Sequence, residues 1–337
     1  MATRILVDDR WIGRHGVGRF AAEVIRRLEG AEGISSTLTS PPLHPLDPWK
    51  LAREIRRREP ELFFSPGFNP PRAIPCPLVF CIYDLIHLEM PEERTAAKRA
   101  YYRFVVAPAA RRAAAIITVS EFSRERIVAL LGVPAGKIVV AGCGVDATFC
   151  IDGPKREAGR PYLLWVGNHK PHKNTERMMA AYARSRASLS CDLILVARAT
   201  PAIRKHAATL GIAERVHWLN DVDDAELAAL YRGATGLLLP SLIEGFGLPL
   251  AEAMACGTPC LVSAAASLPE VAGEAALAVD PLDIAAIATG IDRLVEDEPL
   301  RKELARRGPE RAAAFEWEDV AARVRRVLED ALAEATA

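Results

Sequence analysis

The sequence has no excess of either charge: Lys and Arg number 43, Asp and Glu 43. A basic field of the kind that gathers nucleic acid is therefore missing, and no nucleic-acid partner is expected. No apolar run approaches the ~20 residues that cross a bilayer, so no transmembrane span is expected. The amino end, Met1-Ala2-Thr3-Arg4, runs straight into Ile5-Leu6-Val7 without the pattern of a signal peptide, which points to the cytoplasm. The seven cysteines form no C-x-x-C pair and mostly sit among apolar or small residues. They read as reduced packing residues, and a metal held by them is not expected. Internal repeats and low-complexity segments are also absent.

What is present is 337 residues with 50% hydrophobic content, enough for two cores of ordinary domain size. Apolar runs read as buried strands at 5–7, 62–65, 78–82, 115–119 and 138–140, with a second strand of the first set near 36–38. A further set falls at 162–166, 192–196, 216–219, 236–239 and 259–262. Helical periodicity fills the intervals at 18–28, 51–58, 95–112 and 123–131, and closes the chain at 317–333. Strands alternating with helices predict parallel sheets, an α/β fold of two Rossmann-like domains facing a central cleft. Residues 150–160, polar and broken by Gly153, Pro154 and Gly159, read as the linker.

The stretch with most chemistry begins at Pro240. The apolar run 236–239 ends in Glu244-Gly245-Phe246-Gly247, and a helical pattern follows over 248–255. A glycine-bearing loop feeding a helix N-terminus presents N–H groups and the positive end of the helix dipole, which suits a diphosphate. Glu244 and Glu252, spaced E-x7-E, frame that loop. Carboxylates beside an anion site need hydroxyl donors, and the paired hydroxyls of a sugar or ribose supply them. With Ala253-Met254-Ala255-Cys256-Gly257-Thr258-Pro259 following, the phrase resembles the signature of the retaining family 4 (group 1) glycosyltransferases of GT-B fold, and among them the polysaccharide and lipopolysaccharide mannosyltransferases.

That resemblance covers nearly the whole chain. It implies an N-terminal acceptor-binding domain over 1–152, completed by a terminal helix over 316–337, and a nucleotide-sugar-binding domain over 161–315. It also implies transfer of a hexose, mannose from GDP-mannose first and glucose from UDP-glucose second. The acceptor would be a hydroxyl of a polysaccharide or lipid-linked glycan at the inner face of the cytoplasmic membrane. A small-molecule glycosyltransferase or a non-catalytic nucleotide-sugar binder is the alternative. No cofactor and no metal are expected. Glu252 would take the ribose hydroxyls and Glu244 the donor sugar, while the amides of Phe246, Gly247 and Leu248, next to Gly245, would hold sugar and phosphate.

Other candidates come with plainer readings beside them. Lys173 and Asn174 follow the strand at 162–166; the lysine suits a diphosphate, while Asn168 stands where relatives often carry arginine. Asp84 and His87 follow the strand at 78–82, where open α/β sheets bind ligands, and either can orient or deprotonate an acceptor hydroxyl. A half-buried packing histidine is the plain reading of His87. Many relatives carry histidine where Tyr83 stands. Gly16-Val17-Gly18 satisfies G-x-G-x-x-A, but the loop before it is too long for a dinucleotide site; the resemblance implies that its amides, with His15 and Arg19 nearby, approach donor phosphate or acceptor, and glycines that only start a helix are the plain reading. Ser120 or Ser123 reads as a helix cap, and Asp221-Val222-Asp223 as a cap in preference to a metal-binding D-x-D. The basic stretches 53–58 and 98–112 suit either a membrane surface or ordinary solvated helix faces.

Overall fold

A computed structural model describes residues 5–13 and 16–336. It divides into two compact units, one running to Gly144 and resuming at Glu316, the other Val145–Phe315.

In the first unit six strands form one parallel sheet: β1 (Ile5–Val7), β2 (Glu32–Gly33), β3 (Leu62–Ser65), β4 (Leu78–Cys81), β5 (Ala115–Thr118) and β6 (Ile138–Val140). Their order is β2-β1-β3-β4-β5-β6. Helices on the faces bury β3 and β4 throughout, which is why these strands read as unbroken apolar runs. The chain reverses its lateral direction between β1 and β3, the switch point of this sheet. The second strand is not at 36–38. It is the two-residue β2, and 36–38 forms a turn in which Thr37 and Leu38 donate to the Ile34 carbonyl. A two-residue edge strand of Glu and Gly carries no apolar signal to read.

The helix expected over 95–112 is also interrupted. It runs Ala96–Tyr101, turns as a π-helix over Tyr102–Val106, and resumes as Ala107–Arg112. Pro108 has no N–H for the Phe104 carbonyl, so the regular ladder fails at that step. The widened turn buries Tyr102 and brings the Tyr101 hydroxyl to Asn69 Oδ1, while Phe104 stays 69% exposed. The last helix, Trp317–Thr336, buries Val320, Val324 and Leu328 in this unit, and Arg323 donates to the Ala141 carbonyl at 2.8 Å.

A buried ionic network sits at the switch point. The Arg10 guanidinium reaches Asp8 at 2.7 Å and Asp47 at 2.7 Å, and all three side chains are at most 4% exposed. Arg10 also donates to the Ser40 carbonyl at 3.1 Å, and Asn69 Nδ2 donates to Asp47 at 3.2 Å. Burial raises the Asp8 carboxyl above its ordinary range, against the pull of Arg10.

Nearby on the helix Asp47–Arg58, Glu54 accepts from Arg57, and Thr37 and Arg58 add hydrogen bonds. The Arg57 hydrogen bond, opposed by burial and helped by the other two donors, brings its carboxyl down to about 2 from 4.5. A depressed carboxylate contributes stability that is full above its ordinary pKa and is lost as pH falls through the folded value. Glu54→Gln is therefore expected to lower stability near neutrality and to flatten the acid limb between about 4.5 and about 2, so that the two proteins converge in acid. Chemical denaturation across that window measures it.

The second unit repeats the architecture with β7 (Tyr162–Val166), β8 (Asp192–Val196), β9 (Val216–Leu219), β10 (Gly236–Leu239), β11 (Cys260–Ser263) and β12 (Leu277–Val279). The order is β12-β11-β10-β7-β8-β9, all parallel. Three-residue β12, at the edge, escaped the sequence reading. The switch point lies between β7 and β10. The stretch 150–160 does not hang free: Arg156 N–H donates to Ala229 O at 2.9 Å, and Arg232 reaches Pro154 O at 2.8 Å and Cys150 O at 3.0 Å.

Candidate active site

The loops leaving β7 and β10 are laced together. After β7 the chain makes a 3-10 turn, Pro171–Lys173, and Asn174 takes a left-handed conformation at φ 57° before the helix Thr175–Arg184. Asn174 Nδ2 donates to Pro240 O at 2.8 Å and to Pro281 O at 2.7 Å. Leu242 N–H donates to His172 O at 2.7 Å. Both amide hydrogens of Asn174 are thus committed to backbone, so its side chain holds the two loops in register.

That lacing sets Lys173 against Glu244. The ammonium lies 2.7 Å from Oε1 and 3.0 Å from Oε2, with side chains only 13% and 9% exposed. At such low exposure the pair is screened far less than a surface ion pair. Beneath the loop, Ser267 Oγ lies 2.9 Å from Glu244 O and 3.2 Å from Phe246 O, as donor to one or the other. Phe246 is buried edge-on against Phe315 at 5.4 Å. Gly247 has φ 99°, a conformation that favours glycine, and a Cβ there would also push on Leu268 Cδ2, 2.5 Å away. It is the N-cap of the helix Leu248–Ala255 and provides no capping side chain. Glu252 lies one turn into that helix, 5% exposed, with its Oε2 accepting from the Tyr231 hydroxyl at 3.1 Å.

Of the sequence candidates, Lys173, Asn174, Glu244, Gly245, Phe246, Gly247, Leu248 and Glu252 thus share one edge of the second sheet. Asp84, His87, Gly16 and Gly18 belong to the first unit. Asp84 Oδ1 accepts from Ile86 N–H at 3.2 Å, just ahead of the short helix Ile86–Glu89, whose N-cap is Leu85. His87 Nδ1 stands 3.5 Å from the Tyr102 hydroxyl. Tyr83 is a packing residue: its hydroxyl donates to Pro66 O at 2.5 Å and its ring meets Phe20 edge-on at 5.3 Å. Gly16 already opens the helix Gly16–Ile25, so Gly16-Val17-Gly18 is helical and not a free loop. Gly18 is required by contact, because a Cβ would lie 2.5 Å from Gly13 O. His15 lies outside the described residues. Ser120 caps the helix Glu121–Leu131, and Asp223 caps Asp224–Gly233 by accepting from Glu226 N–H at 2.8 Å.

Sequence reasoning missed Tyr231 and Ser267, which meet their partners only in three dimensions. It also passed over Arg10, although Asp8-Asp9-Arg10 at a strand's carboxyl end was a signal in plain view.

Comparison with known proteins places the chain in a family. Residues 151–311 match the model of glycosyl transferases group 1, and residues 14–149 match that of glycosyltransferase family 4. The chain is 30% identical over 288 residues to O-antigen chain mannosyltransferase B of Escherichia coli, across 81% of this chain and 75% of the relative. It is 33% identical over 277 residues to the MMP alpha-(1->4)-mannosyltransferase of Mycolicibacterium hassiacum, across 77% and 67%. The solved sucrose-phosphate synthase of Thermosynechococcus elongatus superposes with a TM-score of 0.81 at 20% identity, covering 98% of this chain and all of that one, a likeness of fold. The chain therefore belongs to the group 1, family 4 glycosyltransferases and is a transferase of GT-B fold.

Proposed function

We propose that the enzyme transfers mannose from GDP-mannose to a hydroxyl of a growing polysaccharide or lipid-linked glycan, with retention and without a divalent metal. The observation that carries the reading is the buried Lys173–Glu244 pair at the switch point, with the buried carboxylate of Glu252 on the helix that follows the Glu244 loop. The mannosyltransferase relatives favour the sugar.

In this reading Glu252 accepts hydrogen bonds from the ribose diol. Glu244 meets hydroxyls of the donor sugar, and the amides of Phe246, Gly247 and Leu248 hold sugar and phosphate at the helix N-terminus. Lys173 faces the diphosphate. As the glycosidic bond breaks, negative charge grows on the departing phosphate, and a fixed ammonium stabilises that charge more than it stabilises the ground state. The acceptor oxygen bonds to the anomeric carbon on the face the diphosphate leaves, and its proton passes to a phosphate oxygen of the leaving group. In the first unit Asp84 and His87 are assigned to orienting the acceptor hydroxyl.

A peripheral contact with anionic lipid belongs to the same proposal. A groove beside the interrupted helix carries Arg99, Arg103, Phe104 and Leu130. No helix among the described residues is long and apolar enough to cross a membrane. Phe104→Ala is expected to reduce co-sedimentation with phosphatidylglycerol vesicles several-fold without altering the melting temperature. Equal binding to pure phosphatidylcholine would sink the membrane contact.

Incubation with GDP-mannose or UDP-glucose, with and without a glycan acceptor and with excess EDTA, tests the activity. An α-linked mannoside that forms despite EDTA is expected. An inverted product overturns retention, loss of product in EDTA overturns metal independence, and transfer from UDP-glucose alone moves the donor to the second reading.

A further inference from the structure

Beneath Glu252 lies a built contact that the reaction as described does not use. Tyr231, on the helix Asp224–Gly233, is wholly buried, and its hydroxyl stands 3.1 Å from Glu252 Oε2. Its carbonyl accepts from Thr258 Oγ1 at 2.8 Å, and its ring meets Phe149 edge-on at 6.0 Å. Main chain and ring are therefore both fixed. An ionised carboxylate can only accept, so the phenol donates. Burial first, and then the neighbouring Glu252, hold that phenol's pKa well above its ordinary value, so it remains a donor.

Glutamate has three side-chain torsions and several staggered rotamers open to it. A donor fixed in the core and aimed at one carboxylate oxygen removes most of that choice. The hydrogen bond is out of solvent, where the low local dielectric makes it count for more than it would in water.

We propose that Tyr231 is a positioning residue for nucleotide recognition: it holds Glu252 in the rotamer that meets the ribose diol, without itself touching the nucleotide. The proposal rests on the assignment of Glu252 to the ribose. A phenylalanine at 231 keeps the packing and loses only the donor.

The test is calorimetric titration of wild type, Y231F, E252Q and the Y231F/E252Q double variant with GDP and UDP, and with the 2′,3′-dideoxy form of each. Wild type is expected to prefer the ribose form of its nucleotide by roughly tenfold or more, the scale of one hydrogen bond to a charged group. Y231F should lose most of that preference, binding the ribose form more weakly and the dideoxy form as wild type does. Adding Y231F to E252Q should change neither affinity, because the two residues act as one unit. Equal weakening towards both forms in Y231F, or an undiminished preference, overturns the role of Tyr231 and leaves Glu252 assigned. A wild type indifferent to the missing diol overturns the Glu252 assignment and this proposal with it. Should Y231F melt below the assay temperature, all four proteins are titrated at a lower temperature where their melts show them folded, and E252Q and the double variant are again expected to bind with identical affinities; a further tenfold loss in the double variant contradicts the proposal.

Discussion

Replacing Lys173 with methionine is expected to lower turnover by about 10²–10³-fold, the scale of removing one preorganised electrostatic contact to a developing oxyanion. Two effects add in that variant. The first is catalytic, since no other lysine or arginine side chain is among the residues assigned to the diphosphate. The second is structural, because Glu244 is 9% exposed and would lose its cationic partner in a cavity shaped around an ammonium. Breaking a buried pair from one side costs about 3–5 kcal/mol, and partial exposure of this pair argues for the lower end. K173M/E244Q, with E244Q alone as the control for the Glu244 contact to the donor sugar, separates the two effects. The double variant removes the unpaired carboxylate and should recover most of the lost stability, while its turnover stays below that of E244Q. Initial rates of donor consumption and thermal melts of the four proteins measure both. Recovery of activity in the double variant would mean that Lys173 serves only to neutralise Glu244.

The largest stability loss is expected in the first unit, at Arg10. Its guanidinium is the partner common to Asp8 and Asp47, and both carboxylates are fully buried. Arg10→Met leaves two buried acids facing one vacated centre, at a cost of about 3–5 kcal/mol. For a unit of this size that is a fall in melting temperature on the order of 10 °C. The pH dependence follows from Asp8. Burial already raises its carboxyl, and loss of Arg10 raises it further, so the ionised form is the costly one. The deficit is greatest above the raised pKa and shrinks as pH falls through it. Melts of wild type and R10M at a series of pH values should therefore converge towards acid. A constant gap would show that packing of the arginine stem, and not its charge, is what matters.

These predictions also mark where the sequence was legible. Strands buried on both faces left unbroken apolar runs, so β3, β7 and β10 fell within the ranges expected for them. β2 and β12 left no such trace, because strands of two and three residues at sheet edges need few apolar side chains. The helix Leu248–Ala255 was legible to the residue, since Gly247, Pro249 and Gly257 punctuate it. The π-turn at Tyr102–Val106 was not, because its residues have ordinary helical character and only Pro108 hints at the break. Glu244, Glu252 and Lys173 were each visible as side chains suited to a nucleotide sugar. Their pairing was not. Lys173 and Glu244 stand 71 positions apart, and Tyr231 and Glu252 stand 21 apart on different helices. Spacing rules reach one helical turn or one strand step, and the β7–β10 switch point lies beyond both. Asn174 has a structural task that its residue type did not reveal: its amide donates to two carbonyls of neighbouring loops.

The central claim is that a nucleoside diphosphate sugar binds the edge carrying Lys173, Glu244 and Glu252. Calorimetric titration of the wild-type protein with GDP, GDP-mannose, UDP, UDP-glucose and NADH, with no metal added, tests it most directly. One nucleoside diphosphate and its sugar are expected to bind in the micromolar range, with K173M at least tenfold weaker towards both and NADH inert. Binding of NADH alone, or of a nucleotide sugar with equal affinity in wild type and K173M, would contradict the account.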